Sequence, residues 1–158
     1  MPPALLRGFA RDWEIRVPVV FDDGYACNGL FLDIVPEAGA VLNGVLIPVT
    51  EEEAEMLSLR EAQYDTLDVT RLVQAPVSPG IKVVVFSGRT EYRRDSPGVQ
   101  SFRPRSYREL VEAAALTRGA EFLEQFHATT HQITGREYEG GYRFADPHQE
   151  LAARPVIR

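Results

Sequence analysis

Glu61 is the residue of this chain best suited to do chemistry. It stands in Arg60-Glu61-Ala62-Gln63-Tyr64, just after a helix predicted over 50–59, and the apolar run Gly44-Val45-Leu46-Ile47-Pro48-Val49 leads into that helix. A carboxylate there meets the negative end of the helix dipole, at a cost on the order of a few tenths of a kcal/mol. Function is one reason for a sequence to tolerate that, and a single glutamate flanked by apolar residues offers general acid–base catalysis. The alternative is a surface ion pair between Glu61 and Arg60 or Arg71, which requires no cavity.

The remaining candidates are weaker. His127 and His131 lie four residues apart with Glu124 one turn earlier, so the three share a helix face and offer nitrogen and oxygen to a metal. The zinc-protease pattern needs a glutamate after the first histidine; Ala128 stands there, so the pair reads as structural or surface histidines and no metal or other cofactor is expected. Arg89, Arg93, Arg94, Arg103, Arg105 and Arg108 gather with Tyr92, Phe102 and Tyr107 in and after a long polar stretch. That mixture suits an anionic ligand or single-stranded nucleic acid, although a solvated flexible loop is the simpler reading. Ser87-Gly88 follows a strand but lacks the flanking glycine of a nucleophile elbow, and Cys27 reads as a small buried hydrophobe.

Strands and helices must position these groups. Trp13, Ile15, Val17 and Val19 alternate, which predicts a half-buried strand over 13–20, with Pro18 near an edge or at its end. After a turn at Asp22-Asp23-Gly24, strands are predicted over 29–35 and 41–49, paired antiparallel. Thr50 and Glu53 form a capping box for the helix that precedes Glu61, which should bury Ala54, Leu57 and either Met56 or Ala62. Alternation over 66–73 and the apolar run 81–86 add strands, the latter covered on both faces.

The stretch from Gly88 to Arg105 reads as a long loop. Ser106 with Glu109 predicts a second capping box, opening a helix to about Thr117 whose inward stripe is Tyr107, Leu110, Val111, Ala114 and Ala115. Gly119 breaks it, and a further helix from Ala120 turns Phe122, Leu123 and Phe126 inward. Helical periodicity is lost after 133. The sequence therefore predicts a folded domain over 1–133 and an irregular extension over 134–158, with at most a weak hairpin at Gly140-Gly141.

A chain of 158 residues with 44% hydrophobic content buries one core. Its formal charge of −6 opposes binding to nucleic acid phosphate. Cys27 is the lone cysteine, so no intramolecular disulfide forms and a cytoplasmic setting is expected. Neither a signal-peptide core nor a run long enough to span a membrane is present, so no membrane partner is expected.

The order of these segments resembles the γ-glutamylcyclotransferase-like family. The likeness rests on strand Gly44–Val49, helix Thr50–Leu59, Arg60-Glu61-x-x-Tyr64, strands Leu67–Val73 and Val83–Phe86, and the later helix start at Ser106-Tyr107 with Gly119 near its close. It covers roughly residues 4–127. Family members open with a strand ending in a Tyr-Gly-Ser or Tyr-Gly-Thr loop; neither tripeptide occurs here, and Ala4–Trp13 resembles the segment that follows it. The resemblance implies an α+β fold, a mixed curved sheet or small β-barrel with packed helices. It also implies cleavage of γ-glutamyl amides by cyclisation to 5-oxoproline, with Glu61 as acid and base and with Tyr107 and Tyr64 shaping the substrate pocket. A small γ-glutamyl substrate is then the expected partner. The alternative is a catalytically silent small-molecule binding module of the same fold.

Overall fold

A computed structural model describes residues 2–133 and 135–154. Its frame is a long antiparallel hairpin of β1 (Pro3–Phe21) and β2 (Ala26–Val45). Gly24, at φ +90°, takes the left-handed turn conformation between them. The register shifts between Arg7 and Phe9 and again between Asp12 and Ile15. The first shift lets β2 run through Pro36 and Gly39, so the predicted strands 29–35 and 41–49 are one strand that ends at Val45. Pro18 does not mark an edge: β8 (Tyr142–Phe144) pairs with Val19–Phe21, and Ala145 N donates to Pro18 O.

The main sheet runs β4 (Val73–Gln74), β1, β2, β6 (Ser101–Pro104), β7 (Glu137–Tyr138), with β8 also on β1. The pairs β2·β6 and β6·β7 are parallel and the others antiparallel. The fold is thus α+β with a mixed, open sheet, and the barrel alternative is not realised.

A second sheet pairs β3 (Tyr64–Asp68) with β5 (Val84–Gly88). The strand predicted over 66–73 is interrupted, because Val69 is buried in a turn that accepts from Leu72 N. β5 begins later than predicted and is half-buried, not covered on both faces. This ribbon docks on β2: Ser87 Oγ donates to Ile34 O at 2.7 Å and Tyr64 Oη to Leu32 O at 2.7 Å.

Four α-helices complete the fold among the described residues: α1 (Glu51–Arg60), α2 (Arg105–Leu116), α3 (Ala120–Ala128) and α4 (Pro147–Ala153). α2 starts after Pro104 with no side-chain cap and Ser106 Oγ donates instead to Gly140 O, so the expected capping box does not form. Of the expected inward stripe Ala115 is buried and Tyr107 and Val111 are half-buried, while Leu110 and Ala114 are exposed. α3 carries Phe126 inward, and its Phe122 carbonyl accepts from the buried Asn43 Nδ2 at 2.9 Å. The described residues of the C-terminal segment, 135–154, are not irregular. Its strands extend the main sheet on two different neighbours, so the turn at Gly140-Gly141 joins them without forming a hairpin, and α4 packs on α1.

Ile15, Val17, Val19, Phe21, Cys27 and Phe31 form a core ringed by tyrosines and phenylalanines, Tyr64 and Tyr107 among them. A second, aliphatic cluster holds Leu6, Phe9, Leu42, Val69 and Val83. The catalytic candidates lie at the rim of the aromatic core.

Candidate active site

Local sequence builds the site at the end of α1. Thr50 Oγ1 accepts from Glu53 N, and the Glu53 carboxylate accepts from Thr50 N, the capping box the sequence predicts. Ala54 and Leu57 are only half-buried and Met56 and Ala62 are exposed, so α1 is a surface helix. Its last turn closes when Glu61 N donates to Leu57 O at 2.8 Å, and Tyr64 N then donates to Glu61 O at 3.0 Å. β3 begins at once. Because Tyr64 pairs with Gly88, the next residue, Arg89, donates its backbone N–H to Gln63 O at 3.0 Å. Glu61, Tyr64 and Arg89 therefore converge on one cavity of about 230 Å³, whose wall also includes Ser58, Ala62, Asp65, Thr66 and Phe86.

The cavity is polar, not the apolar recess expected for Glu61. Glu61 Oε1 accepts from Arg60 Nε at 2.7 Å, with Arg60 Nη2 equally close. Among the described residues nothing engages Oε2, and the side chain is 21% exposed. Across the cavity Arg89 Nε donates to Asp65 Oδ1 at 2.9 Å, and that bond holds the guanidinium above its usual range.

Tyr64 lies on the wall and Tyr107 does not. Burial pushes the Tyr64 phenol well above its ordinary range, with the nearby Tyr107, Glu61, Asp33 and Asp12 adding to it. It stays protonated, donating to Leu32 O. Tyr107 sits behind, edge-on to Trp13 at 5.9 Å and tilted on Phe31 at 4.9 Å. Burial raises its phenol too, and Tyr142 and Glu61 contribute. Glu61 is thus within electrostatic reach of both tyrosines.

Two features that anchor the site have little sequence signal. The first is the buried amide of Gln149 on α4, which donates to Arg60 O at 2.8 Å and to Gln63 Oε1 at 2.7 Å. It ties down the residues on both sides of Glu61. Asp146 caps α4 by accepting from His148 N and Gln149 N, which fixes where Gln149 falls. The second is a charge cluster behind the ribbon. The Asp33 side chain is fully enclosed; it accepts from Gly88 N at 2.6 Å and Ile34 N at 2.7 Å and pairs with Arg93. Arg93 also reaches Asp12 at 2.6 Å. Burial raises the Asp33 carboxyl, while Gly88 N–H and Arg93 pull it down. Gly88 must be glycine, since a Cβ there would meet Ile15 Cδ1 at 1.9 Å and Asp33 Oδ2 at 2.8 Å.

The arginine-rich stretch is not a free loop. Arg16 from β1 holds Asp95, Arg103 stacks on Trp13 at 4.8 Å and holds Glu137, and Arg108 joins Glu137 and Glu112. These ion pairs staple the stretch to the hairpin and to the C-terminal segment. His127 faces Glu112 and His131 faces Glu37, so they do not share a site. No group of metal-ligating side chains forms among the described residues. Cys27 is buried, and burial together with Asp23 raises its thiol. Ser87 spends its hydroxyl on Ile34 O. No described helix is long and apolar enough to cross a membrane.

Arg89 carries a usable signal: a β3–β5 ribbon in this register sets it beside the turn after Glu61. Gln149 lies 86 residues from Gln63, and no spacing rule joins them. Comparison with known proteins finds no matching family model, no matching curated protein and no matching solved structure.

Proposed function

We propose that this protein is a γ-glutamylcyclotransferase-like enzyme that cleaves γ-glutamyl amides by intramolecular cyclisation, with Glu61 as the single acid and base. The observation that carries this reading is the placement of Glu61: a pinned helix end puts its carboxylate on the wall of a small cavity beside Tyr64, with one oxygen unengaged. In such a substrate the α-amine and the γ-carbonyl are already on one molecule, so the attack carries little entropic cost. Glu61 takes a proton from the α-ammonium, the freed amine closes on the carbonyl carbon of the γ-amide, and the bond from that carbon to the departing nitrogen breaks. The α-nitrogen gives up two protons in all and the departing amine gains two, which leaves 5-oxoproline and a protonated amine. Glu61 relays them between two nitrogens of one substrate. The reaction needs no metal, nucleotide or covalent nucleophile. Tyr64 shapes the wall beside Glu61, and Tyr107 supports Tyr64 from behind. A cytoplasmic setting belongs to this proposal, since lone Cys27 is a buried thiol.

One observation favours a second reading. Arg60 already occupies one carboxylate oxygen of Glu61, and a wall of polar side chains holds a ligand without requiring any proton transfer. A binding module that holds small amino-acid derivatives without turnover has the same cavity. The test is 5-oxoproline release from a panel of γ-glutamyl amines by the parent and by Glu61→Gln. Release by the parent that falls at least about a hundredfold in the variant supports the enzyme. Equal rates remove Glu61 from the mechanism, and a thermal shift with glutamate derivatives without any release supports the module.

A further inference from the structure

Resting on the reaction proposed above, we infer that Arg89 is the substrate-binding residue of this cavity and that it holds the α-carboxylate of an amino-acid head whose α-ammonium Glu61 receives. Arg89 follows Gly88, whose backbone is fixed by Asp33 and by contact with Ile15, and its own N–H is bonded to Gln63 O. The start of its side chain is therefore set by the same turn that sets Glu61.

Only Nε of Arg89 is engaged, by Asp65, and among the described residues no acceptor takes its terminal nitrogens. Asp65 is itself 65% exposed, so it orients the guanidinium without enclosing it. A guanidinium held at Nε and open at its ends is suited to a carboxylate, which it binds through charge-assisted and often bidentate hydrogen bonds. Arg16, Arg93 and Arg108 have no such freedom, each being held between carboxylates or carbonyls, and Arg103, though one of its terminal nitrogens has no partner, is buried against Trp13 away from this cavity. Arg89 is the arginine on the cavity wall.

The wall therefore carries an open cation end at Arg89 and an open anion end at Glu61 Oε2. An α-amino acid head carries the opposite pair on one carbon. A cavity of about 230 Å³ is below the usual range for drug-sized ligands and suits a ligand of amino-acid size. A simple amide or a diamine would leave the guanidinium ends unmatched.

The test uses the whole chain and a probe that has no amide to cleave, L-glutamate, titrated by calorimetry or by chemical-shift change. Isoglutamine, which lacks the α-carboxylate charge, and glutarate, which lacks the ammonium, are the comparators. The expected result is that the parent prefers L-glutamate to both. Arg89→Gln weakens L-glutamate by roughly tenfold or more and no longer separates it from isoglutamine. Arg89→Lys restores part of the affinity, and Glu61→Gln still separates L-glutamate from isoglutamine. Thermal melting within a few degrees of the parent shows that the variants are folded. L-glutamate binding equally to parent and Arg89→Gln, or not binding to the parent at all, overturns the inference. Arg89-dependent binding with no 5-oxoproline release from any γ-glutamyl amine keeps the inference and removes the proposed reaction.

Discussion

Glu61 and Asp33 both act electrostatically on Tyr64, yet they meet arginine in opposite ways. Asp33 is fully enclosed, and its oxygens are taken by two backbone N–H groups and by Arg93, which also holds Asp12. Glu61 gives one oxygen to its sequence neighbour Arg60 at the rim of a cavity and leaves the other open. A saturated, buried carboxylate is committed to the fold, because any ligand would have to displace bonds that the core cannot replace. An open one at a rim can exchange its partner for a ligand at little cost. The pair separates an acid committed to the fold from one left open to a ligand, without reference to residue type.

Breaking the closed cluster should do the most damage. Arg93→Met strips Asp33 and Asp12 of their counter-charge and is expected to cost about 3–5 kcal/mol in urea unfolding. A loss near zero would mean that the cluster contributes nothing to the fold. Gly88→Ala drives a methyl into Ile15 and Asp33 and is expected to lose about 1–3 kcal/mol by the same measurement. Gln149→Leu removes the donor to Arg60 O and Gln63 and should cost about 1–3 kcal/mol. Its second effect sharpens the comparison: the turn bearing Glu61 loosens, so on the reaction proposed above kcat is expected to fall further than the change in Tm suggests, whereas Arg93→Met is expected to affect kcat only as far as it unfolds the protein.

A pH series tests the same contrast with the opposite sign. Glu137 is held below its usual range by Arg108 and Arg103, and Asp95 by Ser101 and Arg16, so each stabilises the fold above the unfolded carboxylate range and loses that contribution as pH falls through its folded value. Asp33 is raised by burial, so the folded state binds its proton more tightly than the unfolded chain does. Its contribution therefore improves on acidification. Asp33→Asn removes this counterweight, and its stability is expected to fall more steeply than the parent's from pH 6 to about pH 3. A shallower fall would reverse the sign assigned to Asp33. The smallest effect belongs to Glu61→Gln, within about 0.5 kcal/mol of the parent, because an exposed pair at a rim holds little stability.

Most short-range chemistry was legible in the sequence and long-range pairing was not. The one capping box that failed, at Ser106 and Glu109, failed because Ser106 Oγ is taken by the distant Gly140 carbonyl. The capping box at Thr50 and Glu53, the turn at Asp22-Asp23-Gly24 and the break at Gly119 each depend on neighbours within a few residues, and each stands in the structure. The hairpin's full length stayed hidden because register shifts interrupt its alternation, so one strand read as two. Strands of two and three residues, as in β7 and β8, are too short to show a period, which is why the C-terminal segment read as irregular. Arg93 and Arg103 read as part of a flexible loop because the acids that hold them come from β1, β2 and β7, all distant in sequence. At the site, Glu61 and Tyr64 were readable from one turn of chain. Arg89 depended on strand register and Gln149 on a contact that nothing local announces.

The most direct test of Glu61 as the proton carrier compares two carboxylate-to-amide variants on one γ-glutamyl amide that the parent turns over, at a temperature where all three proteins are folded. Glu61→Gln is expected to lose about 10²–10⁴-fold in 5-oxoproline release, while Asp33→Asn stays within about tenfold of the parent. A Glu61→Gln protein as active as the parent, or Asp33→Asn as the inactive one, would contradict it.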